Sequence, residues 1–364
     1  MKDRAKEKQH HLVAVDLFSG GGGLTVGLKA AGFHVTAAVE IEPNAIATYK
    51  ANHPEVKVFA NDIKEVSGDE LLRTALRHKI DLLAGCPPCQ GFTSLTYKYK
   101  KADPRNQLIQ QFARLVEETK PIAIMMENVP GLEDRGKRLF NEFISRVKRL
   151  GYIPNYDVLQ AADYGVPQNR RRLVLLAGLG FEIELPAPTH DALARDGRLY
   201  RVTVGEALFG VGKPVTLSRS RSFGGPKAFN WHVVRTLSEV NRKRLKMARA
   251  GRSWKRIPKS LRPKCHKSGE TGFSNVYGKM STLSIAPTIT GGCTTLSKGR
   301  FGHPRQLRTI SVREAALLQT FPEDYVIDTD YMEHACNIIG NALPCTFAEI
   351  LSRQCAEAIL KNAQ

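Results

Sequence analysis

The segment Asp16-Leu-Phe-Ser-Gly-Gly-Gly-Gly-Leu-Thr-Val-Gly27 joins a short apolar run, residues 12–17, to an amphipathic stretch, residues 24–31. Short runs rich in Val and Leu predict buried strands, and apolar residues at helical spacing predict helices. Glycines at such a turn let the backbone bend tightly and approach a ligand that a Cβ would repel. The segment therefore predicts a strand, a ligand-binding loop and a helix in succession.

The same alternation continues over the first 180 residues. It predicts strands at 34–40, 56–59, 81–84, 122–127, 156–161 and 172–177, and helices at 43–52, 69–78, 107–119 and 137–150. Such alternation predicts an α/β fold, in which helices cover both faces of a parallel sheet. After residue 184 the pattern becomes irregular, and helical periodicity returns at 311–319 and 342–360. We therefore predict one domain from residues 1–184 and 327–364, and a smaller, irregular domain from residues 185–326.

Acidic residues follow the second and third predicted strands. Glu40 ends the second strand, 24 residues after Asp16, and Asp62 follows the third. An acid at the first of these places can hold both ribose hydroxyls of an adenosine, and Asp62 could accept from the adenine amino group. These features predict a nucleoside site without separating a nicotinamide cofactor from S-adenosylmethionine. The loop lacks a clean Gly-x-Gly-x-x-Gly pattern, which counts against a dehydrogenase.

The cysteine segment Gly85-Cys-Pro-Pro-Cys-Gln-Gly-Phe-Thr93 follows the fourth predicted strand. Catalytic groups of open α/β sheets lie beyond the carboxyl ends of the strands, and two prolines would hold Cys89 in a rigid turn. Cys86 and Cys89 also have the spacing of a zinc pair or a redox pair. Zinc would need two further ligands at comparable spacing, and the sequence contains no second such cluster. We therefore predict no metal site.

Polar side chains follow two later strands. Glu127-Asn-Val-Pro130 ends the fifth strand, where the carboxyl could act as a general acid, read a base edge or simply cap a helix. In the segment 168–172, strand alternation places Gln168, Arg170 and Arg172 on one face. Cations directed together near a nucleophile suit an anion or a polar base. The alternative is a solvated strand end.

The positive charge of the chain is concentrated in one part of it. The net charge is +19, and residues 211–300 hold 20 Lys and Arg against two acids, which gives this segment +18 and the remainder +1. Soluble surfaces usually pair their charges, whereas unbalanced cations suit a phosphate backbone. We therefore predict that this segment faces nucleic acid, the alternative being a solvated helix face or basic loop.

Composition also gives an expectation for the compartment. No run of residues is apolar and long enough for a membrane span, and residues 1–11 contain no apolar run of a secretory signal. The seven cysteines are an odd number and are scattered, which fits a reducing compartment better than a disulfide framework. We expect a cytoplasmic protein that has no membrane partner.

Taken in order, these motifs resemble those of the DNA (cytosine-5) methyltransferase family of the bacterial modification type. The likeness covers most of the chain. It includes Asp16-Leu-Phe-Ser-Gly20, Pro87-Pro-Cys-Gln90, Glu127-Asn-Val129, Gln168-Asn-Arg-Arg-Arg172, Arg308-Thr-Ile-Ser-Val-Arg-Glu-Ala-Ala-Leu-Leu-Gln-Thr-Phe-Pro322 and Ile339-Gly-Asn-Ala-Leu-Pro344. Departures are small: Cys86 stands where the family commonly has glycine, and Leu343 where it commonly has valine.

The resemblance implies a Rossmann-like, S-adenosylmethionine-dependent methyltransferase sheet and a catalytic set. Cys89 would add to carbon 6 of cytosine, and Glu127 would contact nitrogen 3 and the exocyclic amine. Arg172 would contact the base carbonyl. The implied catalytic set is completed by Arg170, which with Arg172 would favour the thiolate, and by Gln168, which would support loop or DNA geometry.

The resemblance also implies the residues that line the S-adenosylmethionine pocket. They are Phe18, Gly20, Gly22, Glu40, Ile41, Asp62, Ile63, Leu108, Asn341 and Ala342. Ile41 is a weaker match than the others, because the family often places an aromatic residue there to stack on adenine.

The implied partner is double-stranded DNA, with the target cytosine flipped out of the duplex. Residues 1–184 and 327–364 would be the catalytic domain, and residues 185–326 the target-recognition domain. Loop 93–105 would close over DNA and is expected to be mobile without it. The protein would be a monomer that is associated with the nucleoid of a bacterium and protects host DNA. A cognate restriction endonuclease of the same system is a candidate partner, one that does not bind the protein physically.

Three other functions remain as alternatives. The nearest is a transfer-RNA cytosine-5 methyltransferase of related sequence, against which the long basic insertion argues, since such an insertion suits reading of the DNA major groove. The others are a catalytically silent DNA-binding module and a nicotinamide oxidoreductase.

Overall fold

The computed structural model describes residues 12–88, 107–263, 266 and 274–363, and its centre is a seven-stranded sheet. The strands are β1 Val13–Leu17, β2 His34–Val39, β3 Lys57–Phe59, β4 Leu82–Gly85, β5 Ala123–Asn128, β6 Tyr152–Gln160 and β7 Arg171–Leu179. Their order across the sheet is β3-β2-β1-β4-β5-β7-β6. The predicted α/β class is therefore confirmed.

The sheet is not parallel throughout. Strands β1 to β5 pair in parallel, whereas β7 runs antiparallel to β5 and β6 runs antiparallel to β7. Only residues 161–170 separate β6 from β7, and a parallel pair needs a longer crossover. The predicted parallel sheet is thus found in β1 to β5, and the last two strands, for which no direction was predicted, run antiparallel.

Helices lie on both faces of the sheet. They are α1 Gly23–Ala30, α2 Pro43–Asn52, α3 Gly68–Thr74, α4 Leu108–Thr119, α5 Gly131–Asp134 and α6 Lys137–Arg149, followed at the C-terminal end by α10 Val312–Leu318, α11 Met332–Asn341 and α12 Cys345–Asn362. The sequence did not predict α5 and α11, and two of the predicted helices differ from their predicted bounds by more than one residue. The third ends at Thr74, because Ala75 has an extended backbone (φ −87°, ψ 134°), and the last begins after Pro344 rather than at residue 342.

Alternation along β1 explains the two layers of core. Val13, Val15 and Leu17 point to one face, where they pack with side chains of α3, α4 and α6. Ala14 points to the other face, towards α1, α2 and α12. Asp16 shares the face of Ala14, so a carboxyl enters an otherwise apolar layer.

The chain between β7 and α10 has little regular structure. Its elements are β8 His190–Asp191, β9 Leu199–Tyr200, α7 Val204–Ala207, β10 Val215–Thr216, α8 Leu217–Arg221, β11 Val233–Val234 and α9 Glu239–Met247, with short 3-10 helices between them. A third core of buried residues, including Trp231 and Phe301, also takes in Ile339 of α11. The irregular region therefore packs against the C-terminal helices.

Strand order determines where a ligand can bind. The chain crosses from β1 outward to β2 and β3, and then returns to the other side of β1 through β4. In open α/β sheets the crevice at such a reversal, outside the carboxyl ends of the strands, is the binding position.

Within the described ranges, no helix is long and apolar enough to cross a membrane.

Helix α1 packs unusually closely on α12, and this contact gives a test of the fold. A Cβ at Gly27 would lie 2.5 Å from both Ala348 Cβ and Glu349 N. Exchange of glycine for alanine within a helix normally stabilises it by about 1 kcal/mol. Here we expect Gly27→Ala to lower the free energy of unfolding by about 2 kcal/mol, because the two helices must separate.

Urea denaturation would measure this change, with Gly212→Ala as the control. A Cβ at Gly212 meets no atom within 4 Å, so its effect should stay within about 0.5 kcal/mol. A Gly27→Ala protein as stable as the parent would contradict the close packing.

Candidate active site and cofactor pocket

A cavity of about 850 Å³ lies at the carboxyl ends of the central strands. Nine of the ten predicted cofactor residues line it: Phe18, Gly20, Glu40, Ile41, Asp62, Ile63, Leu108, Asn341 and Ala342. The predicted catalytic residues Glu127, Arg170 and Arg172 line the same cavity. The structure thus brings the two predicted sets of residues to one place.

Glu40 links the end of β2 to the glycine loop. Its Oε2 accepts a hydrogen bond from Gly20 N at 2.7 Å, and its Oε1 accepts from Ile41 N and Glu42 N, each at 2.9 Å. Each carboxylate oxygen has two acceptor sites, so Oε2 retains one for a ligand. Gly20 has φ +54°, and a Cβ there would meet no atom within 4 Å, which leaves its backbone open to the cavity.

The turn that carries Asp62 and Ile63 is held by a helix of the opposite face. Arg114 of α4 donates from Nη2 to Ile63 O at 2.8 Å and to Val66 O at 2.9 Å, while its Nη1 pairs with Glu118. Asp62 Oδ1 accepts from Lys64 N at 3.0 Å, which orients the carboxyl. Arg114 therefore fixes one wall of the pocket, and no sequence motif indicated it.

Glu127 and Arg172 form an ion pair at the other end of the cavity. Arg172 Nε lies 2.6 Å from Glu127 Oε1, and both side chains are largely buried. Glu127 belongs to β5 and Arg172 to β7, so the pairing of these strands sets the distance. Asn128, the next residue on β5, donates from Nδ2 to Pro87 O at 3.0 Å and so anchors the two prolines that follow β4.

Arg170 braces the backbone around the pocket. Its guanidinium donates to Ile289 O at 3.1 Å, Gly340 O at 3.4 Å and Ala342 O at 2.9 Å. Burial, followed by the charge of Arg172, lowers the pKa of Arg170 to about 9, so it remains a cation at neutral pH. These contacts tie the α11–α12 link to the start of β7.

Gln168 lies outside the cavity and is fully buried. Its Oε1 accepts from Ile289 N at 2.8 Å, and its Nε2 donates to Gln319 Oε1 at 2.7 Å. Gln319 in turn donates to Ile339 O at 2.7 Å. Gln168 and Gln319 thus connect the residues around β7, α10 and α11. No role was predicted for Gln319, although it lies in the family-like segment 308–322.

Cys89 and loop 93–105 lie outside the described residues. Cys86, which is described, lines the cavity. Desolvation, followed by the charges of Glu127 and Asp16, raises the pKa of the Cys86 thiol well above its ordinary value. A thiol in that state is a poor nucleophile, because the thiolate is the reactive form.

One predicted cofactor residue lies outside the cavity, and two residues of the cavity wall belong to no motif. Gly22 does not line the cavity, since it packs against Tyr325 and His53 instead. The cavity wall includes Thr290 and Asn337, which belong to the C-terminal half of the chain. In the described parts of the chain, no group of three His, Cys, Asp or Glu side chains could hold a metal ion.

Asp16 is the buried carboxyl beneath the glycine loop. Thr25 Oγ1 donates to its Oδ2 at 2.7 Å and also lies 2.7 Å from Tyr49 Oη, whereas Oδ1 has no hydrogen-bond partner in the described part of the chain. Burial is the main cause that raises the pKa of Asp16 to about 7; the charge of Glu40 adds to it, and the Thr25 hydrogen bond opposes it. Asp16 is therefore largely neutral below pH 7.

Fold and site together define an α/β protein with a cavity at the carboxyl ends of its central strands, beside a carboxylate–guanidinium pair. A family model described as C-5 cytosine-specific DNA methylase matches residues 12–357. The chain is 36% identical over 346 residues to the type II methylase M.HgiDII of Herpetosiphon aurantiacus, covering 93% of each. It is also 36% identical over 356 residues to the type II methyltransferase M1.HphI of Haemophilus parahaemolyticus, covering 96% of this chain and 87% of that one.

The fold is shared with a solved structure, a prophage-encoded E. coli chain described as a DNA modification methyltransferase. Its TM-score is 0.72 at 24% identity, over 96% of this chain and 99% of that one. The protein belongs to the C-5 cytosine-specific DNA methylase family, as its sequence motifs predicted. This result favours DNA methylation over the transfer-RNA alternative, and membership of the family implies use of S-adenosylmethionine.

The raised pKa of Asp16 predicts how stability depends on pH. The neutral acid is favoured in the folded state, whose pKa is about 7, over the unfolded chain, whose value is 3.8. The stabilisation that the neutral Asp16 carboxyl contributes to the folded protein is therefore fully present below about pH 4 and is lost as the pH rises to about 7. Asparagine does not ionise, so Asp16→Asn should not lose this stabilisation. Its free energy of unfolding, relative to that of the parent, should therefore increase by up to about 4 kcal/mol between pH 4 and pH 7.

Urea denaturation at several pH values would measure the difference between the two proteins. The exposed Asp134 provides the control, since Asp134→Asn should leave the pH profile of the parent unchanged. A constant difference between parent and Asp16→Asn from pH 4 to 8 would contradict the neutral carboxyl.

Proposed function

We propose that this protein transfers the methyl group of S-adenosylmethionine to carbon 5 of a flipped cytosine in a specific duplex DNA sequence, through a covalent bond between Cys89 and carbon 6. The observation that carries the proposal is the shared cavity, in which the nucleoside pocket adjoins the Glu127–Arg172 pair. Membership of the DNA methylase family supports DNA as the substrate. Protection of host DNA in a restriction-modification system is the corresponding biological role.

The donors and acceptors around the cavity fit S-adenosylmethionine. The free acceptor site of Glu40 suits a ribose hydroxyl, and the Asp62 carboxyl suits the adenine amino group. The apolar side chains of Phe18, Ile63 and Leu108 suit the faces of an adenine ring. When bound, S-adenosylmethionine supplies an electrophilic methyl group on a sulfonium.

The remaining chemistry belongs to the protein and the cytosine. Carbon 5 of cytosine is a weak nucleophile, and covalent catalysis divides a difficult step into easier ones. The Cys89 thiolate adds to carbon 6, the carbon 5–carbon 6 double bond opens, and negative charge is displaced onto the ring. Carbon 5 then has enamine character and can take the methyl group.

Glu127 and Arg172 stabilise the charge that develops on the ring. The Glu127 carboxyl accepts from the exocyclic amine and shares a proton with nitrogen 3, which carries none in neutral cytosine, and Arg172 donates to the base carbonyl. Their ion pair holds both side chains in place before the base arrives, so little reorganisation is needed during the reaction. After transfer, a water-derived base removes the carbon 5 proton, the double bond re-forms and the Cys89 thiolate leaves.

The basic segment 211–300 supports the assignment of residues 185–326 to target recognition. Its charge of +18 suits the phosphate backbone, and its exposed cations include Lys243, Arg249 and Lys259. The base must leave the stack before it can enter the cavity, which costs a few kcal/mol.

Methyl transfer can be assigned to DNA directly. The protein is incubated with tritium-labelled S-adenosylmethionine and either genomic DNA or total RNA, and label in each nucleic acid is counted. We expect label in DNA and none above background in RNA. Label in RNA alone, or in neither, would contradict the proposal.

The nucleophile can be tested by substitution. Cys89→Ser should lower turnover by on the order of 10³-fold or more, because the hydroxyl is a far weaker nucleophile at neutral pH. Its binding of DNA and of S-adenosylmethionine should remain close to that of the parent. Cys86→Ser is the matched comparison and should keep at least about a tenth of parental turnover. Normal methylation by Cys89→Ser would refute the covalent mechanism.

A further inference from the structure

A chain of hydrogen bonds behind the glycine loop links a surface lysine to the loop backbone. Lys29 Nζ lies 2.8 Å from His53 Nδ1, and His53 Nε2 lies 3.2 Å from Tyr325 Oη. Tyr325 Oη in turn makes a short contact with Gly21 O. Lys29 also pairs with Glu55, while His53 and Tyr325 are buried.

The direction of every bond in this chain is determined by its two ends. An ammonium can only donate, so His53 Nδ1 must accept and the ring proton must be on Nε2. A carbonyl can only accept, so Tyr325 must donate its single hydroxyl proton to Gly21 O. Tyr325 Oη is then free to accept from His53 Nε2. The two deductions, made from opposite ends, agree on one tautomer.

The glycine loop lies directly against this chain. A Cβ at Gly22 would lie 2.5 Å from Tyr325 Oη and 2.8 Å from His53 Nε2. Gly22 has φ +92° and is the N-cap of α1, and Gly20 of the same loop donates to Glu40 in the cavity. A shift of the Tyr325 hydroxyl would therefore move Gly22, which is two residues from Gly20 in the wall of the cofactor pocket.

We propose that Lys29, His53 and Tyr325 are positioning residues, which fix the glycine loop for S-adenosylmethionine through one directed chain of hydrogen bonds. The proposal rests on the proposed function for the identity of the cofactor. It assigns to His53 a neutral ring whose proton is on Nε2. It assigns to Tyr325 the donor that holds Gly21 O.

The surroundings of His53 keep its ring neutral at physiological pH. Lys29 and Glu55 face its Nδ1 side, Tyr325 faces Nε2, and the Tyr49 ring lies edge-on at 4.9 Å between centroids. Burial, followed by the Lys29 charge, lowers the pKa of His53 to about 4, although Glu55 opposes this. The chain of hydrogen bonds from Lys29 to Gly21 is thus intact throughout the neutral pH range.

Tyr325→Phe removes only the hydroxyl and so tests the last bond. We expect the Kd for S-adenosylmethionine, measured calorimetrically without nucleic acid, to rise about three- to tenfold, since one net hydrogen bond is lost and the loop must be ordered on binding. The rate of methyl transfer at saturating cofactor should stay within about twofold. Tyr156→Phe is the matched control, because Tyr156 lies on β6, remote from the loop, and should bind the cofactor like the parent.

A spectroscopic measurement tests the rest of the chain on the intact protein. The ¹⁵N spectrum of the His53 ring, assigned by its loss in His53→Gln, should show an unprotonated Nδ1 and a protonated Nε2. Lys29→Met should raise the pKa of His53, because a nearby positive charge is removed. This surface variant also provides the test if Tyr325→Phe does not fold.

Unchanged cofactor affinity in Tyr325→Phe would overturn the proposal, as would a proton on His53 Nδ1 or a Lys29→Met variant in which the pKa of His53 does not rise. Failure of the proposed function looks different. The parent would then label RNA, or would bind S-adenosylmethionine and label neither nucleic acid, while the His53 tautomer and the effect of Tyr325→Phe on cofactor binding would still be as described.

Discussion

The glycine loop after β1 has no room for a side chain at Gly21, Gly22 or Gly23, and most of the site depends on that constraint. A Cβ at Gly23 would lie 2.8 Å from Leu343 O, and one at Gly21 would overlap Ile338. The loop is therefore enclosed by residues that come more than 300 positions later in the chain. The Gly20 amide of this loop donates to Glu40, and the cavity lies where β1 and β2 end.

A second set of contacts connects the two halves of the protein. Arg170 and Gln168, just before β7, bind the carbonyls and amides of residues 289 and 339–342, directly or through Gln319. The same residues precede Arg172, whose partner is Glu127. The strand that presents a charge to the cavity is thus held by the segment that closes the cavity, so disorder in one would disturb the other.

Much of this arrangement could be predicted from the sequence. Parallel strands direct their carboxyl ends to one edge, so the residues that follow them, such as Glu40, Asp62 and Glu127, were expected to meet. The antiparallel pairing of β6 and β7 was not predicted, because apolar periodicity identifies a strand and says nothing of its direction. The bracing contacts of Arg170 were also unexpected, since its partners are backbone carbonyls distant in sequence.

Residues that position other residues were the hardest to predict from the sequence. Arg114 holds the Asp62 turn from an amphipathic helix whose pattern indicates only burial, and Tyr325 lies in an irregular segment. Hydrogen bonds to main-chain carbonyls require no partner residue type, so no spacing rule identifies them. The domain division at residues 184 and 326 stays a prediction, as one core cluster contains both Val204 of the intervening region and Cys345 of the last helix.

In the proposed reaction, a cysteine of this protein bonds to carbon 6 of cytosine in DNA. DNA in which 5-fluorocytosine replaces every cytosine tests it most directly, because fluorine at carbon 5 cannot leave as a proton does and the adduct should persist. With S-adenosylmethionine present, we expect a denaturation-resistant complex whose mass is that of protein plus methylated DNA, and peptide mapping should place the bond at Cys89. The absence of a complex, or a bond at Cys86, would show that Cys89 is not the nucleophile.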